Sequence, residues 1–284
     1  MSELMSELMS ELTNNLVLRL VLAVGLNGVA AIASVRRKAV TPGGGVAGFS
    51  VGAAIYAAGG PWLWSLLMLF FVSGTAISRV GRRRKAALQR AHEKGRRRDA
   101  LQVFANGGVA MVAALAYGAT GEPLFAAACA VSFAASNADT WAGEIGVLSA
   151  RPPRSVVSWR RLPPGASGGV SALGTVTAAL AAAVIAAAFL LGWGPRYGWG
   201  GAAAVAAAVT AAGFLGALID SVLGATVQAH YADAASGDLT ERRFGPEGEN
   251  RLVRGLRGFN NDAVNLASNL LAVTVSLPLM APIL

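Results

Sequence analysis

Three carboxylates interrupt segments that are otherwise apolar: Asp139, Asp220 and Asp262. Their settings are Ser136-Asn137-Ala138-Asp139-Thr140-Trp141, Gly216-Ala217-Leu218-Ile219-Asp220-Ser221 and Asn260-Asn261-Asp262-Ala263-Val264-Asn265. An Asp at the centre of a bilayer-spanning helix costs about 2.5–3.5 kcal/mol, so such a residue faces a protein interior and acts there. Carboxylate and amide oxygens together suit a hard cation such as Mg²⁺. A His/Cys metal centre is excluded: the two histidines, His92 and His230, lie in polar loops, and the one cysteine, Cys129, sits in an alanine-rich run.

Residues around the three acids extend the pattern. Asn137 stands two positions before Asp139, and Asn265 and Asn269 continue on the face of Asp262. A helix cap at Asn260 or Asn261 is the simpler account of an Asn there, but a cap needs no Asn-Asn-Asp run. Gly213, Gly216, Asp220, Gly224 and Gln228 recur at steps of three or four and share one helical face. That face reads either as a packing seam with one buried acid or as a cavity wall; Ser221 and Gln228 add polarity that a seam does not need. Glu144 points about 140° away from Asp139 at ~100° per residue, which suits a structural ion pair as well as a site. Asp99, Gln102 and Asn106 form a further polar stripe, either structural or substrate-lining.

Between Asp139 and Asp220 runs Arg160-Arg161-Leu162-Pro163-Pro164-Gly165-Ala166-Ser167-Gly168-Gly169-Val170-Ser171. A Gly/Ser-rich turn that opens a helix presents backbone N–H groups and the positive end of the helix dipole, an anion site that phosphate commonly fills. Ser167, Gly168 and Gly169 are the expected cradle, and the guanidinium forks of Arg160 and Arg161 match phosphate oxygens. The Gly-Lys-Ser/Thr ending of a Walker A loop is missing.

Helices must position these groups. The 284 residues are 54% hydrophobic and 14% charged, whereas soluble domains carry about a quarter charged residues. The expected fold is an all-α integral membrane protein, a polytopic bundle of about eight transmembrane helices at 15–34, 44–60, 61–79, 101–120, 123–147, 170–192, 200–228 and 261–283. The Gly59-Gly60-Pro61 break predicts a hairpin between the second and third. Residues 1–14, with Met-Ser-Glu-Leu three times over, are expected to be an N-terminal tail, and 15–284 a single polytopic membrane domain. Of the 24 Lys and Arg, 22 fall in 36–38, 79–98, 151–161 and 242–257. Eight spans put all four segments on one side, which the positive-inside rule makes cytoplasmic, with both termini outside. The net charge of +9 is dispersed among these loops. That distribution points to lipid headgroups and gives no continuous face for nucleic acid.

Four motifs in order are similar to the transmembrane-protein-19-like family (domain of unknown function 92), which includes the plant phytyl-phosphate kinases. They are Ser-Asn-Ala-Asp-Thr-Trp-Ala (136–142), Pro-Pro-Gly-Ala-Ser-Gly-Gly-Val-Ser (163–171), Gly-Ala-Leu-Ile-Asp-Ser-Val-Leu-Gly-Ala-Thr-Val-Gln (216–228) and Asn-Asn-Asp-Ala-Val-Asn (260–265). The stretch from Arg98 to Gly108 resembles the family as well. A more distant similarity connects the same order of motifs to CTP-using membrane enzymes, the dolichol and phytol kinases and CDP-diacylglycerol synthases. The loop here lacks their lysines, so Arg151, Arg154, Arg160 and Arg161 would stand in.

The resemblance implies a membrane lipid-phosphate kinase with a cytoplasm-facing site. It would take a nucleoside triphosphate, with CTP expected, and an isoprenyl monophosphate such as phytyl or geranylgeranyl phosphate. Asp139, Asp220 and Asp262 would hold Mg²⁺. Ser167, Gly168, Gly169, Arg160, Arg161, Asn137, Asn261, Asn265 and Gln228 would bind phosphate and substrate. Two other readings stay open: a cytidylyltransferase acting on a lipid phosphate, and a lipid or anion transporter.

Overall fold

A computed structural model describes residues 16–82, 85, 97–245 and 247–284. The expected tail at 1–14, His92 and much of the basic run between Arg79 and Arg98 lie outside them. Among the described residues seven long helices follow one another: α1 (Leu16–Arg36), α2 (Pro42–Ile77), α3 (Ala100–Thr120), α4 (Pro123–Gly146), α5 (Ala172–Tyr197), α6 (Ala202–Thr226) and α7 (Asn261–Met280).

Helix α2 is two limbs joined at Gly60, whose φ of 68° and ψ of −169° leave the helical region. Glycine reaches that conformation readily, and Pro61 restarts the helix behind it. The chain reverses there. Trp64 Nε1 donates to Asn27 Oδ1 at 3.0 Å, and a Cβ on Gly52 would collide with the same oxygen, so residues 52 and 64 lie at one level of α1. Tyr56 and Trp64 meet edge to face at 5.6 Å. The first limb ends with unsatisfied carbonyls; Arg19 Nη2 donates to one of them, Ala58 O, at 2.6 Å.

Among the described residues six helices are long and apolar enough to cross a membrane: α1, α2, α3, α5, α6, and α7 with the 3₁₀ turn that follows it. The expected count of about eight is met as helical segments, with the limbs of α2 counted separately and α4 added. Helix α4 falls short on hydropathy because its last turns are polar, and it is the axis of the bundle. Its residues Ala126–Ala138 are buried on every side, and α2, α3, α5, α6 and α7 all pack on it. Alanine permits that crowding. A Cβ on Gly213 would stand 2.5 Å from Ala134 Cβ, and one on Gly216 2.5 Å from Ala135 Cβ, the small-residue contact expected of membrane helices. Large apolar side chains such as Val17, Leu180, Leu191 and Leu279 face outward.

The two ends of the bundle differ chemically. At one end, side chains cap the N-termini of α2, α3, α5 and α7: Thr41, Asp99 (in a reciprocal box with Gln102), Ser171 and Asn260. At the other, α3 ends on Gly121 in the left-handed region and α6 starts from Gly201, also left-handed. Arg19 and Arg196, the two bases outside the four basic segments, are at this second end, Arg196 lying 4.7 Å from the Trp62 ring centre. The long polar loops of the first end fold into short strands. β1 (Arg154–Ser155) pairs with β2 (Gly169–Val170). In the second loop β3 (His230–Ala232) lies between β4 (Leu239–Thr240) and β7 (Arg251–Arg254), while β5 (Phe244–Gly245) and β6 (Gly248–Glu249) form a hairpin.

Candidate functional site

The capped end encloses a cavity of about 800 Å³, within the roughly 300–1,000 Å³ usual for ligand sites. Its wall takes Asp139, Thr140 and Glu144 from the last turns of α4, Asp220 and Gly224 from α6, and Asn261 and Asn265 from α7. The loop before α5 adds Ser167–Gly169, and α3 adds Gln102 and Asn106. Eight bases also line it: Arg37, Lys38, Arg79, Arg82, Lys85, Arg97, Arg98 and Arg242. Against three lining carboxylates, that balance favours an anionic ligand.

Asp139 and Asp220 touch, their carboxyl groups within hydrogen-bonding reach. Ser268 Oγ donates to Asp220 Oδ2 at 3.1 Å. Two carboxylates in contact need a proton or a cation between them. Asn265 Oδ1 is buried with no donor in reach among the described residues, and the backbone carbonyl of Asn265 accepts from the same Ser268 at 3.1 Å. Two carboxylates and a buried amide oxygen fit a hard divalent cation that keeps part of its water.

The other expected site residues divide. Asp262 is buried on the first turn of α7 but is not part of the cavity wall, and no three His, Cys, Asp or Glu cluster as metal ligands among the described residues. Its neighbours Asn261 and Asn265 do reach the wall. Asn137 is off the wall because it lies two residues, about 200°, round α4 from Asp139. There it ties helices together: its Nδ2 donates to Ala181 O at 2.9 Å, and Ser73 Oγ donates to its Oδ1 at 3.1 Å. Arg160 and Arg161 are exposed and away from the cavity. The hairpin carrying them turns outward, with Ser155 N–H bonded to Arg160 O at 2.8 Å.

Ser167, Gly168 and Gly169, the residues expected to form an anion cradle, line the cavity. Gly168 has φ 77°, and a Cβ there would stand 2.5 Å from Ala225 Cβ, so only glycine lets the loop lie on the end of α6. The Gly169 N–H is spent on a turn to Ala166 O at 3.1 Å. Ser167 Oγ donates to Glu241 Oε1, and Gln228 Nε2 donates to the same oxygen at 3.0 Å. Glu241 therefore pins the cradle loop and the end of α6 to the strand-bearing loop above them. No spacing signal marked Glu241.

Arg98 was also missed as a site residue, although the resemblance began at it. Its backbone bonds Ala39 O and Thr41 N–H at 3.2 and 2.9 Å. Its guanidinium lies 5.5 and 5.6 Å from the ring centres of Phe70 and Phe71. Burial lowers its pKa from the usual arginine value, and Glu144 opposes that shift. Glu144 itself makes an ion pair with Lys85 at 2.6 Å. Outside the cavity, burial lowers the His230 pKa, its Nδ1 lying 2.9 Å from Gln228 O.

The family model described as integral membrane protein DUF92 matches residues 25–273. The chain belongs to this family. The match takes in every wall element just described. Protein PGR of Arabidopsis thaliana is 30% identical over 276 residues, which is 88% of this chain and 92% of that protein. An uncharacterized membrane protein of Synechocystis is 29% identical over 204 residues, 70% of this chain and 76% of its own length. One from Methanocaldococcus jannaschii is 30% identical over 162 residues, 56% and 63% of the two chains. No solved structure matches.

Proposed function

We propose that this integral membrane protein is a lipid-phosphate kinase. It moves a phosphoryl group from a nucleoside triphosphate, CTP by resemblance, to an isoprenyl monophosphate such as phytyl or geranylgeranyl phosphate. The observation that carries this reading is the Asp139–Asp220 pair in a cavity lined by eight bases. Carboxylates beside a cation-lined phosphate space are what phosphoryl transfer requires. The likeness of four motifs to a family that includes phytyl-phosphate kinases supports the substrate class. By the positive-inside rule the basic end faces the cytoplasm, where nucleotide is supplied.

An oxygen of the acceptor monophosphate forms the new bond to the γ-phosphorus. The bond from that phosphorus to the β,γ-bridging oxygen breaks, and the nucleoside diphosphate leaves with its electron pair. The acceptor is already ionised at neutral pH, so no side chain has to remove a proton. Positioning and charge neutralisation remain as the work of the protein. Asp139, Asp220 and the Asn265 amide oxygen would hold Mg²⁺, which when bound neutralises charge on the phosphate oxygens. Arg98 and Arg242 hold phosphate oxygens by charge-assisted hydrogen bonds. The loop at Ser167–Gly169, with the α5 N-terminus behind it, seats the triphosphate.

Paired label transfer tests the reading. Purified protein receives Mg²⁺, phytyl or geranylgeranyl monophosphate, and CTP labelled on either the γ- or the α-phosphate. Label reaching lipid from the γ position alone is the expected result. Transfer from the α position alone makes the protein a cytidylyltransferase. No transfer from CTP, ATP, GTP or UTP overturns the enzyme reading in favour of transport.

A further inference from the structure

A second, smaller space opens off the cavity. It measures about 100 Å³ and lies among α1, both limbs of α2, and α3. Gly44, Gly48, Leu67, Met68, Phe71 and Val103 make much of its wall, which is almost wholly apolar. Arg98, Gln102, Asn106 and Thr140 line both this slot and the polar cavity. The two spaces therefore adjoin at these four residues, and the Arg98 guanidinium lies against Phe70 and Phe71, both of which line the slot.

Gly48 is the informative wall residue. Gly44 and Gly45 have packing reasons to lack a side chain, because a Cβ would strike Arg98 O or Val35. A Cβ on Gly48 meets nothing within 4 Å. What sets Gly48 apart from other unclashing helical glycines such as Gly25 is its place on the slot wall, where it leaves the space without a side chain.

We propose that the slot holds the carbons of the lipid substrate next to its phosphate, with that phosphate on Arg98. This rests on the lipid-phosphate reading above. A ligand spanning the junction needs an anionic head on the cavity side and an unbranched or methyl-branched chain on the other. A cavity of about 150 Å³ takes a six-carbon ring, so this slot takes roughly four or five carbons, one isoprene unit. The remainder of the chain lies outside it.

The test uses the full chain in liposomes and an isoprenyl monophosphate analogue carrying a diazirine on its first few carbons. After irradiation, adducts are mapped by mass spectrometry in wild type, Gly48→Ala, Gly48→Leu and, as control, Gly25→Leu. Gly25 is exposed on α1 with open space around it. Expected are adducts within 44–51 and 67–71, weakened in Gly48→Ala, and reduced at least tenfold in Gly48→Leu. Gly25→Leu keeps them. Label transfer by Gly48→Leu then shows a raised KM for the lipid and an unchanged KM for the nucleotide. Thermal unfolding of each variant verifies that it is folded, and Gly48→Ala carries the comparison should Gly48→Leu fail that control. Adducts elsewhere, or undiminished by both Gly48 substitutions, overturn the slot while leaving the kinase reading intact. Slot adducts displaced by unlabelled lipid phosphate, in a wild type that transfers no label, overturn the kinase reading and keep the slot.

Discussion

Replacing Asp220 by Asn removes one ionisable carboxyl group, and with it a cation ligand's negative charge, from the centre of the site and alters almost nothing else. The side chain keeps its shape, and its remaining oxygen can still accept from Ser268, now 3.1 Å from Oδ2. Its new N–H₂ group gains an acceptor in Asp139, the carboxylate it touches. Without a divalent cation the variant should therefore unfold at the same temperature as wild type or higher. With Mg²⁺ the order reverses. A ligand bound only to the native state at a hundred times its Kd adds about 2.7 kcal/mol, and the variant should lose that increment. Loss of one preorganised electrostatic group at a reacting centre lowers kcat by about 10²–10³-fold, so γ-label transfer should fall by that factor. Differential scanning fluorimetry with and without Mg²⁺, beside the transfer assay, reads all three. Full activity with an intact Mg²⁺ shift would refute the assignment of Asp220. A variant destabilised by several kcal/mol without cation would instead make the acid pair structural.

Glu241→Ala should leave the Gln228 amide, only 1% exposed, without its carboxylate acceptor. Stranding a buried donor costs about 1–3 kcal/mol, to be read as a lower unfolding midpoint, and the freed Ser167 loop should raise KM for the nucleotide more than it lowers kcat. His230 gives a pH signature. Burial lowers its folded pKa, so the unfolded chain binds more protons in the window between that value and the unfolded value of about 6.5. Its contribution to stability is present above about pH 6.5 and is lost as the pH falls toward the folded value. Unfolding midpoints measured from pH 7.5 to 5 should fall in wild type and fall less steeply in His230→Gln; parallel curves would refute the account.

Much of the bundle was legible because it depends on local chemistry. Apolar length located the helices, and Gly59-Gly60-Pro61 marked the reversal since no other residue types both leave and re-enter a helix so cheaply. The run at Asn260 suggested a helix cap, which Asn260 provides, whereas Asp99 and Gln102, read as part of a polar stripe, form a capping box at the start of α3. The glycine face of α6 supported two readings, and both hold at different heights. Gly213 and Gly216 close on Ala134 and Ala135, while Asp220, Gly224 and Gln228 open to the cavity. The short strands escaped notice, being two to four residues in polar loops.

The site was legible where helices carry it and illegible where loops do. Asp139 and Asp220 project from rigid elements that share a packed axis, so their periodicity fixed their facing. Arg160 and Arg161 were expected at the phosphates because they adjoin the Ser/Gly loop in sequence, but a two-residue antiparallel pairing at 154–155 turns them away. The cavity wall instead takes Arg98, just before α3, and Arg242, in the loop that carries the short strands, each distant in sequence from Ser167–Gly169. The basic segments thus supply a cavity wall as well as a headgroup-facing surface. Where they converge, a membrane protein keeps cationic charge at one end, and an anion there meets both the bases and, through Arg98, an apolar slot. A ligand with phosphate at one end and hydrocarbon at the other satisfies both surfaces at once, whereas a free nucleotide satisfies only the first.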